Sequence, residues 1–251
     1  MEFITLGNAN CIVSRTAFDV SCFIQEDLKV LADLSDVFYE GGTNFFICDE
    51  ENELGLKTLS YCFHEKRRDV HYGISLCEKN PVVLESKIEQ KLELINSDYL
   101  DLVALEKLSF VPSKGSSDAL FDVLLQMQRK EKIKAIGFKT DNFDLAKTAV
   151  LYKNYDVLLY PFDINSDINK ISELIKLCEE NECTFVATNV LNEKLSTNIP
   201  VICGFYSQFE DIIPVWNSKK VDTIKQILYF SETPPQIDAQ FEADLQKLKM
   251  L

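Results

Sequence analysis

Glycine, proline and low-complexity segments are scarce in this chain. Eight glycines and seven prolines occur among 251 residues, which excludes collagen-like repeats and argues against long disordered regions. Hydrophobic residues make up 46% of the chain and aromatic residues 11%, so a sizeable core can form. No change in composition marks an internal boundary. The sequence therefore predicts one folded domain over residues 1–251.

Positive charge is also in short supply. The formal net charge is -14 and the pI is about 4.6. Nucleic acids and anionic membranes bind through clustered lysine and arginine side chains, so neither is an expected partner. The one concentrated basic segment, residues 65–68, ends a predicted helix, where positive charge stabilises the helix dipole.

Compact cysteine and histidine motifs are missing. The eight cysteines are scattered and no two are spaced C-x-x-C, which excludes the common zinc and thiol-exchange motifs. No signal-peptide pattern and no apolar run of membrane length occurs, so a reducing cytoplasm is the expected compartment. The two histidines, His64 and His71, have no catalytic partner nearby in the sequence and are expected to be structural.

Short apolar runs alternate with amphipathic helical patterns, which predicts a parallel β/α architecture. Eight such units favour a closed (β/α)8 TIM barrel over an open sheet. No G-x-G-x-x-G motif follows the first strand, which argues against a Rossmann fold. Only NVLNEKLSTN joins predicted strands seven and eight, so one outer helix is predicted to be missing there. The predicted strands are residues 16–22, 43–48, 70–76, 99–106, 133–138, 156–161, 183–188 and 199–204.

Several segments carry a resemblance to a known family. FITLGNANCIVS resembles that family's entry hairpin, FYEGGTNFF the segment before its active-site loop, NSDYLDLVALE its fourth strand and KEKIKAIGFKT its fifth. The chain is similar over nearly its whole length to the aldo-keto reductase superfamily, most of all to the bacterial branch with an iron–sulfur tail. No cysteines match that cluster-bearing tail. The resemblance implies an aldo-keto reductase barrel whose bottom is closed by an N-terminal hairpin.

The family's catalytic residues carry over poorly. Its reaction uses a tyrosine that donates the proton, a lysine and an aspartate that tune it, and a histidine that orients the carbonyl. The aspartate position falls on Ile47, with Asp49 two residues further on. The lysine position falls on Leu76 or Ser75, and the histidine position on Glu106. No tyrosine follows in CDEENELG, so the resemblance implies a degenerate active site.

The nucleotide-binding positions of the family also differ here. Its Ser-Asn pair after strand five corresponds to Lys139 and Thr140, and its glutamine after strand six to Leu159. The basic residue after the eighth strand corresponds to Tyr206, and a small glycine near the nicotinamide to Asp19. Because a carboxylate at that place crowds and repels the cofactor, no cofactor is expected.

Function in such a barrel resides at the C-terminal ends of the strands. Carboxylates and a lysine gathered there can support acid–base chemistry or hold a hard cation such as Mg²⁺; the alternative is that they are solvated loop residues. Our candidate catalytic residues are Glu106 and Asp49 as acid–base groups and Lys139 to orient an anionic substrate; no dedicated metal site is predicted. The residues expected at the mouth are Asp19, Cys48, Asp49, Ser75, Glu106, Lys139, Asp163, Thr188, Asn189 and Tyr206.

The leading functional prediction is a barrel that has lost NAD(P)H-dependent carbonyl reduction and acts as a binding, scaffold or regulatory subunit. The alternatives are a non-redox enzyme that uses the mouth carboxylates and an NAD(P)H-dependent oxidoreductase with a rearranged site. An enzyme requires an open pocket onto which Glu106 and Asp49 converge, whereas a scaffold requires a mouth filled by Leu159 and Tyr206. A protein partner or a small-molecule ligand is expected at the mouth, near a predicted exposed patch of Trp216 and GFYSQF.

Overall fold

A closed parallel barrel forms the centre of the structure. The computed structural model describes residues 1–191, 195 and 198–250. Two short strands, β1 (Phe3–Thr5) and β2 (Ile12–Ser14), pair antiparallel as a hairpin, and eight parallel strands then close in chain order. These are β3 (Ala17–Asp19), β4 (Phe45–Asp49), β5 (His71–Leu76), β6 (Leu100–Glu106), β7 (Ile133–Lys139), β8 (Val157–Pro161), β9 (Thr184–Thr188) and β10 (Ile212–Trp216). The predicted (β/α)8 barrel with an N-terminal hairpin is confirmed.

Helices link the strands around the outside of the barrel. They are α1 (Leu28–Glu40), α2 (Leu54–Cys62), α3 (Pro81–Leu94), α4 (Leu120–Arg129), α5 (Phe143–Leu151), α6 (Ile168–Glu180), α7 (Ile199–Tyr206), α8 (Val221–Glu232) and α9 (Ala239–Lys249). In α1 the buried residues Leu31, Leu34 and Phe38 recur three and four positions apart, the spacing that puts one apolar face against the sheet. Among the described residues, no helix has the length and apolar character to cross a membrane.

Local sequence signals set the ends of several helices. Helix α1 stops at Gly41, and Gly42 follows with φ +74°, a conformation that glycine adopts without strain. Helix α3 begins with Pro81, and the side chain of Asn80 accepts the backbone N–H of Val82, which satisfies a donor that the helix leaves free. Both signals are carried by residues of the sequence itself.

The segment between strands seven and eight corrects the predicted register. IPVICG (199–204), predicted as the eighth strand, lies in helix α7, and the eighth strand is β10, Ile212–Trp216. The outer helix predicted to be missing is therefore present. All but one of the eight residues of α7 are buried, so the segment has no polar face. Without such a face, the hydrophobic pattern of a short apolar run is compatible with a buried strand and with a buried helix.

Alternate residues of each strand point into the barrel. Successive side chains of a strand point to opposite faces, so one apolar set fills the interior and the other packs under the helices. The interior cluster on the barrel strands consists of Ala17, Phe45, Ile47, Leu102, Ala104, Ala135, Val157, Leu159, Val186, Ile213 and Val215. This packed layer closes the lower part of the barrel and leaves the C-terminal strand ends as the open side.

A polar network lies at the bottom of the barrel. His71 Nδ1 lies 2.9 Å from Asp101 Oδ1, and Cys11 Sγ lies 3.3 Å from the same nitrogen. Asp101 also pairs with Arg67 at 2.9 Å and Lys134 at 2.8 Å. Although the three ligand-type atoms of Cys11, His71 and Asp101 lie within 4.8 Å of one another, two cations already neutralise the carboxylate. We assign this network to stability, as expected for the bottom face of a barrel.

Candidate active site

The top layer of the barrel interior is polar. On β6 the inward residues Leu102 and Ala104 are followed at the next inward position by Glu106, and on β7 the same alternation leads from Ala135 to Lys139. On the other strands, the inward-pointing residue nearest the C-terminal end also belongs to this layer. The inward residues that line the mouth are Asp19, Asp49, Glu106, Lys139, Pro161, Thr188 and Asn217.

The ammonium group of Lys139 forms ion pairs with two carboxylates in this layer. Its Nζ lies 3.0 Å from Glu106 Oε2 and also contacts Asp49 Oδ1. Glu106 and Lys139 are register partners on neighbouring strands, whereas Asp49 comes from β4 on the far side of β5 and β6. Burial opposes the charged form, but the hydrogen bond to Asp49 and the charges of both carboxylates outweigh it and raise the pKa of Lys139. The three predicted catalytic residues therefore meet at one point.

A second lysine shares the Glu106 carboxylate. Lys107 Nζ lies 3.6 Å from Glu106 Oε1 and 2.8 Å from Glu51 Oε1. Glu106 is 3% exposed, while Lys107 and Glu51 lie at the solvent-facing rim. The buried glutamate thus has a cation on each of its oxygens, which compensates the desolvation of its charge.

Asp19 completes the layer on the other side of the mouth. Its Oδ1 accepts the backbone N–H of Ser21 at 2.8 Å, and Ser21 Oγ accepts the backbone N–H of Asp49 at 2.7 Å. These two bonds tie the ends of β3 and β4 together. Burial raises the pKa of the Asp19 carboxyl above its ordinary value, because the charged form is poorly solvated there.

These side chains surround an open cavity of about 340 Å³. This volume lies at the lower end of the range of small-molecule sites. Its wall combines apolar and polar groups. The lining residues are Asp19, Ile47, Asp49, Glu106, Lys107, Leu108, Lys139, Thr140, Asp141, Pro161, Thr188, Asn189, Val215 and Asn217.

Four residues expected at the mouth do not line the cavity: Cys48, Ser75, Asp163 and Tyr206. Ser75 is buried near the end of β5. Cys48 points away from the barrel interior into the outer core, where burial raises the pKa of its thiol, so it is not an activated nucleophile. Asp163 accepts the backbone N–H of Asn165 and the hydroxyl of Ser166 in a local turn. Tyr206 lies on α7 and donates to the carbonyl of Phe162 at 2.5 Å.

The expected exposed aromatic patch is also absent from this surface. Trp216 is 1% exposed, and Phe205 and Tyr206 are buried beside it. The physical reason is helix α7, which covers the side of the barrel that the sequence prediction left bare.

Several lining residues were missed by sequence reasoning. Asn217 follows the true eighth strand, so it was hidden by the misplaced strand assignment. Lys107 and Asp141 lie in the loops that follow β6 and β7. Their positions in the sequence could have identified both residues, because residues just after a barrel strand belong to the functional face.

Comparison with known proteins assigns the fold. No model of a protein family and no curated protein matches the sequence. Solved structures match: an aldo-keto reductase from Bacillus halodurans in its holo form superimposes with a TM-score of 0.79 at 15% identity, covering 99% of this chain and 96% of that one. The chain has the aldo-keto reductase fold. An aldo-keto reductase from Klebsiella pneumoniae in complex with NADPH gives a TM-score of 0.80 at 10% identity, covering 99% and 95%, so the resemblance stated from the sequence is confirmed at the level of fold.

The leading functional prediction, a scaffold that has lost carbonyl reduction, is wrong. The solved structures that this chain resembles are reductases, and one of them is in complex with NADPH. The mouth is also open: Leu159 belongs to the packed interior layer, Tyr206 does not line the cavity, and Glu106 and Asp49 converge on it. The alignment of the family's phosphate-contact position with Tyr206 is also wrong, because Tyr206 lies in α7 and does not follow the eighth strand.

Proposed function

We propose that this chain is an oxidoreductase that uses a nicotinamide nucleotide to reduce a carbonyl group at the mouth of the barrel. The observation that carries the proposal is the Lys139 ammonium held by Asp49 and Glu106 at the edge of an open cavity. The reductases of similar fold support the class of reaction. The site is rearranged, because Lys139 comes from β7 rather than from the strand that carries the family's lysine.

Lys139 has the chemistry of the proton donor. An N–H bond of the ammonium donates to the carbonyl oxygen and passes its proton there as negative charge develops. Asp49 and Glu106 hold the nitrogen in place and keep it protonated before the reaction. Lys139 thereby takes the role for which the family uses a tyrosine, and no tyrosine is among the described residues that line the cavity.

The polar groups around the cavity fit a nicotinamide. Within the described part of the chain, the side chains of Thr188, Asn189 and Asn217 line the cavity and form no hydrogen bond to another residue. A hydroxyl and two amides can satisfy the donor and the acceptor of a carboxamide. When bound, a reduced nicotinamide would supply a hydride to the carbonyl carbon, while the protein supplies the proton to the oxygen.

The start of α8 fits the phosphates of such a nucleotide. Ser218, Lys219 and Lys220 lie between β10 and the first turn of α8, and a helix N-terminus attracts anions. Phosphate sites of TIM barrels commonly lie in the loops after strands seven and eight. Lys219 is paired with Asp27 at 2.8 Å, whereas Lys220 is exposed and makes no ion pair with a described residue.

Cofactor titration tests the proposal directly. NADPH and NADH are added to the protein while cofactor fluorescence is followed, and oxidation is then measured with a panel of small aldehydes and ketones. We expect saturable binding in the micromolar range and turnover that Lys139→Met abolishes. Absence of binding at millimolar cofactor would overturn the proposal.

The cysteines support a reducing compartment for this activity. All eight are free, with five buried. Disulfides are rare in the cytosol and common in oxidising compartments. The free cysteines are consistent with our proposal that the protein acts in the cytoplasm.

A further inference from the structure

The lysines of the cavity are already neutralised by protein carboxylates. Lys139 pairs with Asp49 and Glu106, and Lys107 pairs with Glu51 and Glu106. Binding an anionic substrate to either lysine would break these contacts and leave Glu106, which is 3% exposed, without its cations. Such a loss is strongly unfavourable for a buried charge.

Two carboxylates of the cavity lining have no cation. Asp141 is exposed at the loop after β7 and makes no ion pair with a described residue. Asp19 accepts one backbone N–H from Ser21 but pairs with no lysine or arginine among the residues described. Burial raises the pKa of Asp19, and a cation bound beside it would favour its charged form.

The lining therefore carries an excess of negative charge. Four carboxylates face two ammonium groups among its described residues: Asp19, Asp49, Glu106 and Asp141 against Lys107 and Lys139. The whole chain has a formal net charge of -14. An excess of negative charge in a cleft attracts ligands that carry a positive charge.

We infer that the site selects carbonyl substrates that carry a positively charged ammonium group, with Asp141 and Asp19 as the residues that recognise it. The inference rests on the proposed reductase function and names its substrate class. It replaces the role first expected for Lys139, which was to orient an anionic substrate. The lysine contacts the carbonyl oxygen, and the two carboxylates without a cation contact the ammonium group of the substrate.

A matched set of aldehydes tests this selection. We would compare an aldehyde with a terminal trimethylammonium group, its analogue with a terminal carboxylate and an uncharged analogue of equal length. We expect kcat/KM to be about tenfold higher for the cation than for the uncharged compound at low salt, and the ratio to shrink as salt rises. Equal rates, or a preference for the carboxylate, would overturn the inference.

A pair of variants locates the effect. Asp141→Asn is expected to reduce the cation preference about threefold, because it removes one unpaired charge from the wall. Asp144→Asn is the control: it removes the same charge from the first turn of α5, outside the cavity, and should leave the preference unchanged. A loss of preference in both variants would indicate the general field of the protein and would overturn the role of Asp141.

Binding without turnover separates this inference from the proposed function. Calorimetry with the three corresponding alcohols measures charge selection even if no aldehyde is reduced. Tighter binding of the cationic alcohol, without reduction of any aldehyde, would uphold the charge selection and overturn only the reductase proposal. Failure of the cationic alcohol to bind more tightly than the others would overturn the inference, whatever the activity.

Discussion

Lys139 Nζ lies 3.0 Å from Glu106 Oε2, across the register pair that joins the ends of β6 and β7. Both residues stand one inward step above the apolar layer of the barrel, so their side chains meet at the floor of the mouth. The pairing keeps an ammonium group charged in a partly desolvated place. A charged ammonium group in this position can polarise a carbonyl and stabilise the negative charge that develops on its oxygen.

Removal of the Lys139 ammonium should abolish activity without unfolding the barrel. We expect Lys139→Met to lower kcat by about a hundredfold or more, the usual loss when a group that stabilises developing charge is deleted. Lys147→Met is the matched control, since Lys147 lies on α5 and pairs with the exposed Glu173. Steady-state kinetics together with circular dichroism check both variants, and full activity in Lys139→Met would contradict the role of the lysine.

The charge of Glu106 should set the alkaline limit of activity. Glu106 helps to raise the pKa of Lys139, so Glu106→Gln should lower that pKa. The alkaline limb of kcat/KM is then expected to move to lower pH by about one unit. Glu51→Gln, which alters an exposed partner of Lys107, serves as control; an unmoved limb in Glu106→Gln would show that Lys139 is not the titrating group.

Lys220 should contribute to cofactor affinity. Reversing its charge places a carboxylate beside the first turn of α8, where phosphate binding needs positive charge. We expect Lys220→Glu to raise the Kd for NADPH about tenfold, with little change for Lys225→Glu further along the same helix. Fluorescence titration measures both values. Equal affinities for NADPH in the two variants would show that Lys220 does not contribute to the cofactor site.

Tyr206 should be structural only. Its hydroxyl donates to the carbonyl of Phe162 at 2.5 Å beneath α7, so Tyr206→Phe leaves that acceptor unpaired. We expect a loss of about 1 kcal/mol in the free energy of unfolding with unchanged kcat/KM and unchanged Kd for NADPH. Urea unfolding and cofactor titration check this; weaker NADPH binding in Tyr206→Phe would contradict a purely structural role.

Asp101 should make stability depend on acid pH. Burial alone would raise its pKa, but the hydrogen bond from His71 and the charges of Arg67 and Lys134 lower it from 3.8 to about 2. A lowered folded-state pKa stabilises the protein above the unfolded pKa, so about 2 kcal/mol should be lost as pH falls from 4 towards 2.

Asp101→Asn should show the same contribution at neutral pH. It leaves Arg67 and Lys134 without their buried partner, and we expect a loss of about 3 kcal/mol. Its stability should then change less than that of the wild type below pH 4. Urea unfolding at neutral and acid pH, with the exposed Asp98→Asn as control, checks both statements; identical acid sensitivity in Asp101→Asn would contradict them.

The sequence by itself determined the architecture and the identity of the central residues. Alternating apolar positions mark strands because a pleated strand has a period of two, and the same alternation carries Glu106, Asp49 and Lys139 to strand ends. These patterns are local, so they can be read along the chain. The conserved geometry of a closed barrel then places strand ends at one mouth.

The tertiary structure decided what local patterns leave open. IPVICG is apolar on every side, and only the tertiary structure, in which it packs against α8 and α9, shows that it is a helix. Asp49 and Lys139 are 90 residues apart, and no local period predicts their contact. Closure of the barrel brings the ends of both strands to one mouth, where the lysine side chain is long enough to contact the Asp49 carboxylate. Whether a strand-end residue is solvated or part of a site depends on such long-range contacts, which is why the open mouth appeared only in the fold.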